Sequence, residues 1–135
     1  MENIYIASAV ILNDRNELLL VRKKKSSFFQ LPGGKIQENE TELQSLEREI
    51  WEETGLVISA GAFSFLGRHT VKAVNEKDTL VHGSIYTARL KHGPEPVAAN
   101  EIEEFAWITK DNHKKYTLAR LAEEFVLPWW LGLKT

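Results

Sequence analysis

The chain has 135 residues, 43% hydrophobic and 27% charged, and a formal net charge of −2. That length suits a single domain over residues 1–135 with room for a sizeable core, and the charge excludes a globally basic nucleic-acid binder. No cysteine is present, which excludes disulfides, thiolate metal sites and a cysteine nucleophile. No apolar run approaches the roughly 20 residues of a membrane helix. Met1-Glu2-Asn3 lacks the basic start of a secretory signal, so the expected location is the cytoplasm, with no membrane partner.

In chain order, Ile4–Leu12 and Glu17–Arg22 are apolar runs on either side of Asn13-Asp14-Arg15-Asn16, a turn sequence, and predict a hairpin. Phe28–Leu31 predicts a short third strand ending at Pro32-Gly33-Gly34. A helix is expected over Thr41–Thr54, opened by a capping box of Thr41 and Gln44 and closed by Gly55 in the left-handed position. Leu56–Leu66 and Thr79–Leu90 alternate as strands do, with a mobile polar loop expected over His69–Asp78. Phe105–Ile108 predicts one more strand. Leu118, Leu121, Ala122, Phe125 and Val126 have helical spacing, so a second helix is expected from Thr117 until Pro128 stops it. The pattern predicts an α/β fold, with a mixed sheet covered by helices on both faces. His69, His82, His92 and His113 show no metal-ligand spacing and read as surface or loop residues. One of Phe28 and Phe29 is expected in the core. Trp129 and Trp130 are expected to pack on the domain or on a homodimer partner.

The first helix carries the chemistry. Leu46 and Ile50 mark its buried stripe, and Glu49, Glu52 and Glu53 share one arc beside it, with Trp51 opposite. From Glu40 to Glu53, six glutamates stand against one arginine, Arg48. Each like-charge pair three or four residues apart costs a few tenths of a kcal/mol, and carboxylates in the last turn also oppose the helix dipole. A divalent cation reverses the sign of both effects. Hard oxygen donors without sulfur or clustered imidazole select Mg²⁺ or Mn²⁺. Pro32-Gly33-Gly34 lies where its backbone reaches the same ligand.

Gly34, five residues, Glu40, seven residues, then Arg48-Glu49-Ile50-Trp51-Glu52-Glu53-Thr54-Gly55-Leu56 matches the Nudix box at all nine specified positions, residues 34–56. The chain resembles a Nudix hydrolase and looks MutT-like. The resemblance implies an α/β/α sandwich and Mg²⁺- or Mn²⁺-dependent hydrolysis of a nucleoside diphosphate linked to another group. It implies that Glu49, Glu52, Glu53 and the Gly33 carbonyl bind metal, that Arg48 holds the glutamates in place, and that Glu40 is structural. A further carboxylate from a later loop is expected, with Glu101 better placed than Glu103 or Glu104.

Glu52 is the leading general base and Glu49 the alternative, since both lie on the same arc. Arg22, in the basic run Arg22-Lys23-Lys24-Lys25, and Lys35, just after the glycines, are expected to grip phosphates, Arg22 ahead of the lysines. Asn100 is the base-reading candidate. Among substrate markers of the resembled family, a proline about 15 residues past the box points to ADP-ribose, and a tyrosine near there to dinucleoside polyphosphates. Here the prolines are Pro32, Pro94, Pro96 and Pro128, and the tyrosines Tyr5, Tyr86 and Tyr116, so neither marker stands in place. Elimination leaves a nucleoside triphosphate pyrophosphohydrolase releasing nucleoside monophosphate and pyrophosphate. The alternatives are a catalytically silent nucleotide sensor and a hydrolase of a sugar nucleotide or RNA cap.

Overall fold

The computed structural model describes residues 1–73, 77–91 and 95–133. Six strands form one mixed sheet: β1 (Glu2–Leu12), β2 (Leu18–Lys23), β3 (Gly33–Lys35), β4 (Ser64–Lys72), β5 (Thr79–Arg89) and β6 (Ile102–Ile108). Their order is β4-β5-β1-β2-β6. β1 is the spine. One edge runs parallel to β5 along its whole length, from Glu2 opposite Thr79 to Leu12 opposite Arg89. The other edge is shared, with β3 pairing Ile6–Ser8 and β2 pairing at Leu12. The segment leading into the glycines fills the splay between β1 and β2.

Side-chain alternation on β1 assigns the two faces. Ala7, Ala9 and Ile11 pack with Leu46, Ile50, Leu56, Ile58 and Phe63 around helix α1 (Glu42–Thr54). Val10 and Leu12 pack with Leu121, Ala122, Val126 and Trp130 of the C-terminal helix. The sheet is therefore sandwiched between helices, as the sequence predicts. The capping box is present, and Gly55 has φ 72° with its N–H on the Trp51 carbonyl at 2.9 Å. The β1–β2 turn is held by Asn13 Oδ1, which accepts from Arg15 N at 3.0 Å and Glu17 N at 2.9 Å.

Three expectations about strands and loops are corrected. Phe28–Leu31 makes only isolated bridges, Val21 with Gln30 and Phe29 with Leu118, and the third strand is Gly33–Lys35. Glycines read as a strand end become strand because only a backbone without Cβ fits against Ala7 and Ser8, 2.2–2.7 Å from where a Gly33 Cβ would stand. Leu56–Leu66 is mostly irregular, with a 3₁₀ turn at Ala60–Ala62, and the strand begins at Ser64. His69–Lys72 belongs to that strand rather than to a loop; residues 74–76 of the expected loop, and His92, lie outside the described residues. Of the other histidines, His82 is in β5, half-exposed on the surface, with its ring nitrogens bonded to Thr70 and Asn3.

The C-terminal helix starts later than Thr117, because Phe29 takes the local backbone: its N–H donates to Thr117 O and its carbonyl accepts from Ala119 N, both at 2.8 Å. It also continues past Pro128. A π-helical turn, Ala122–Val126, lets Leu127 N–H reach Ala122 O, and α2 (Leu127–Leu131) restarts with Pro128 in its first turn. A missing N–H costs little there.

Phe29 is the core member of its pair. Trp130 is 0% exposed and its Nε1 donates to Asn16 O at 2.8 Å, so the domain itself covers it. Trp51 is 59% exposed. Trp130→Ala is expected to cost about 3–5 kcal/mol in urea unfolding, as large-to-small changes of buried aromatics do, and Trp51→Ala less than about 0.5 kcal/mol. Equal losses for the two would show that the C-terminal helix does not close the core.

Candidate active site

The site is built where the last two turns of α1 meet β3. Gly34 has no Cβ, and one placed there would stand 1.6 Å from Glu49 Oε2. Glu49 therefore lies flat on the strand backbone in space that only glycine leaves. Gly33 has φ 146°, a conformation side-chain-bearing residues rarely adopt, and its N–H donates to Glu53 Oε1 at 3.0 Å. The two glycines thus do separate work. One makes room for a carboxylate, and the other bonds a carboxylate.

Arg48 is the hub of the cluster. Its Nε and Nη2 donate to the two oxygens of Glu40 at 3.0 and 2.8 Å, a planar two-pronged match. Nη1 lies 3.1 Å from Glu52 Oε1 and 3.3 Å from Glu49 Oε1. Nη2 also reaches Lys35 O at 3.4 Å. The guanidinium ties the helix to β3 and sits between two carboxylates that would otherwise repel. Its bond holds Glu40 far below the usual carboxylate range, at about 2, and Glu40 in turn keeps Arg48 firmly protonated.

Glu53 is the most deeply placed of the three, 7% exposed. Burial pushes its carboxyl up to about 7; the Gly33 N–H and Lys23 pull it down, and the Glu49 and Glu101 charges push it up. Burial also raises Glu49, opposed by Arg48 and reinforced by Glu52. The arrangement stores electrostatic cost in one place. Its donors are oxygens, the ligand type of Mg²⁺ and Mn²⁺. A divalent cation fits because its charge offsets both the burial and the mutual repulsion of these groups. Among the described residues, no three such side chains are already gathered at metal-holding distance, and the Arg48 guanidinium lies between Glu49 and Glu52.

The helix's C-terminal end is closed by a later loop. Asn100 Nδ2 donates to Glu52 O at 2.7 Å, Ala99 N to Glu53 O at 3.2 Å and Val97 N to Thr54 O at 2.9 Å. These three donors satisfy carbonyls that a helix end leaves open. Asn100, expected to read a base, is spent on the helix, with φ 53° fixing its turn. The loop also brings Glu101 to the site, where its charge acts on Glu53. Glu104 is taken by Arg22 at 2.9 Å. Arg22 itself donates to Glu104 and to Ser26 O at 2.8 Å, whereas the neighbouring Lys23 acts on Glu49 and Glu53.

Lys23 and Lys35 line a cleft of about 380 Å³ that includes Gly33 and Gly34. Sequence reasoning ranked Lys23 below Arg22. Strand alternation was the available signal, since adjacent residues point to opposite faces, and the register shift at Arg22/Lys23 completes the turn toward the site. A second network was missed altogether. Glu42, at the helix start, accepts from Tyr86 Oη at 2.5 Å and Ser84 Oγ at 2.7 Å and anchors α1 to β5.

Because the folded Glu53 binds its proton more tightly than an unfolded glutamate, this group lowers stability as pH rises from about 4.5 to about 7. The loss is about 3 kcal/mol, complete above that window. Thermal unfolding without divalent ions should show this decline, and Glu53→Gln should remove it. A variant with an unchanged pH profile would mean that Glu53 carries no such cost.

Comparison with known proteins agrees with this geometry. The chain is 23% identical over 127 residues to a MutT-like protein of Streptomyces ambofaciens, covering 94% of this chain and 74% of that one. It is 34% identical over 62 residues to an 8-oxo-dGTP diphosphatase of Proteus vulgaris, covering 43% of this chain and 55% of the relative. The structure of a MutT NUDIX hydrolase from Burkholderia pseudomallei superposes with a TM-score of 0.78 at 21% identity, over 91% of this chain and 95% of that one. The family model for the NUDIX domain matches residues 3–129. The chain therefore belongs to the Nudix family of hydrolases that act on pyrophosphate bonds.

Proposed function

We propose that this Nudix hydrolase cleaves a nucleoside triphosphate to nucleoside monophosphate and pyrophosphate in the cytoplasm. The observation that carries the proposal is the joining of two unlike surfaces. A buried acidic cluster built for a cation opens at Gly33 and Gly34 onto a cleft whose described lining has no carboxylate and includes Lys23, Lys35, Lys72 and Arg120. A polyanion with an apolar head fits that pair of surfaces. The relative named as an 8-oxo-dGTP diphosphatase supports the triphosphate class.

Glu49, Glu52, Glu53, the Gly33 carbonyl and Glu101 are the residues that would hold Mg²⁺, with Mn²⁺ as a substitute. The metal supplies neutralisation of phosphate charge and a lowered pKa for bound water. The chain's own contribution is positional. Gly34 leaves space for Glu49, Gly33 N–H aims Glu53, and Arg48 orients Glu49 and Glu52. Lys23 and Lys35 take the outer phosphate charge.

Glu52 takes the proton of the attacking water. It is the more open of the two candidates, with its side chain 36% exposed against 18% for Glu49. Glu49 is the second reading, favoured by a carboxyl already lifted by burial toward the working range of a general base.

Turnover of nucleoside triphosphates with Mg²⁺, products identified by mass, tests the reaction. Glu52→Gln should lower kcat by about 10²-fold or more with the fold intact, and Glu49→Gln should weaken metal dependence more than it lowers kcat. Binding of the whole nucleotide set without product would overturn the reading in favour of a sensor. The larger kcat loss in Glu49→Gln would transfer the base to that residue.

A further inference from the structure

We propose that Gln30 reads the nucleobase, an inference that rests on the nucleotide reading above and names the residue that sets its specificity. The base-reading candidate from the sequence, Asn100, holds the end of α1.

The cleft beside Gly33 and Gly34 has aliphatic walls, including Ile4, Ile6, Leu31, Val71, Val81 and Leu121. Its described lining has no aromatic ring and a single side-chain amide, Gln30. Two of the cations there face carboxylates. Arg120 is bound to Glu124 through Nε and Nη2, both at 2.9 Å. Lys23 lies close enough to Glu49 and Glu53 to lower both carboxyls.

Gln30 is half-buried, and its side-chain amide has no hydrogen-bond partner among the described residues. The amide is therefore open to the cleft, with its donor and its acceptor both available to a ligand. Its backbone is held from every side. Gln30 N donates to Val21 O at 2.8 Å, and Val21 N donates to Gln30 O at 2.9 Å. On one flank Phe29 bridges Leu118, and on the other Pro32 O accepts from Ala9 N at 2.9 Å.

The pinned backbone sets the point from which the Gln30 side chain enters the cleft. An amide offers one donor and one acceptor side by side, the pattern that a base edge presents in complement. A flexible lysine offers donors alone. The aliphatic walls bury the base plane without choosing among bases, and Gln30 chooses by edge.

The test is kcat/KM with Mg²⁺ for ATP, GTP, CTP, UTP and ribose 5-triphosphate, in wild type, Gln30→Leu and Gln30→Glu. Leucine keeps the volume and removes the hydrogen bonds; glutamate keeps the acceptor and removes the donor. The best base should lose its advantage over ribose 5-triphosphate by about tenfold or more in Gln30→Leu, through KM. Turnover of ribose 5-triphosphate should change less than about twofold. Gln30→Glu should reorder the bases rather than flatten them.

Unchanged base ratios in a folded Gln30→Leu protein would overturn the assignment while leaving the reaction standing. Should wild type turn nothing over, the reaction fails separately, and calorimetric binding of the same five compounds still decides. A base preference lost in Gln30→Leu supports the role. An unchanged preference, or no binding by any compound, overturns it.

Discussion

The structure depends on one constraint: carboxylates of a single helix are buried against a strand backbone that carries no side chains. Glu49 could not sit where it does beside any residue but glycine at position 34, and Gly33, which lies against Ala7 and Ser8 where no Cβ fits, gives its N–H to Glu53. Burial and mutual repulsion raise both carboxyls, and only partial relief comes from within the chain, through Arg48, Lys23 and one N–H. A bound divalent cation, as proposed for this site, would offset that cost. Natural proteins commonly carry such cost where they do chemistry.

Much of the surrounding architecture holds that constraint in place. The two-pronged Arg48–Glu40 bond fixes the guanidinium, and the guanidinium fixes the spacing of Glu49 and Glu52. Glu42, bonded to Ser84 and Tyr86, pins the start of α1 to the sheet. The loop at Val97–Asn100 closes the other end of the same helix and brings Glu101 with it. The acid helix is thus held at both ends and in the middle. The backbone that carries Glu49, Glu52 and Glu53 is thereby fixed relative to β3.

Legibility from sequence followed the range of the interactions. Local signals were read correctly: the capping box of Thr41 and Gln44, the left-handed Gly55, the buried stripe of Leu46 and Ile50, and the turn at Asn13. These depend on neighbours within about one helical turn or one hairpin. The spacing of the box also located the acidic arc. What escaped depends on long-range pairing. Gly33 and Gly34 are strand only because β1 lies alongside, and Phe29 delays the second helix by taking backbone bonds across the fold. Pro128 reads as a stop until the wide turn before it moves the missing N–H to a harmless place. Arg22, Lys23 and Asn100 are legible in the sequence only by charge, type and place along the chain. Their contacts depend on which face of the strand, or which carbonyl, the tertiary structure offers.

The central claim is that the glycine-backed carboxylates form one site for a divalent cation. Calorimetric titration of Mg²⁺ and Mn²⁺ into wild type and Gly34→Ala tests it most directly, because the added methyl strikes only the movable end of Glu49 and leaves the core alone. Saturable binding in wild type, weakened about tenfold or more in a Gly34→Ala protein of unchanged fold, is the predicted result. Absence of binding in wild type, with or without a nucleotide, or equal binding by both proteins, would contradict the account.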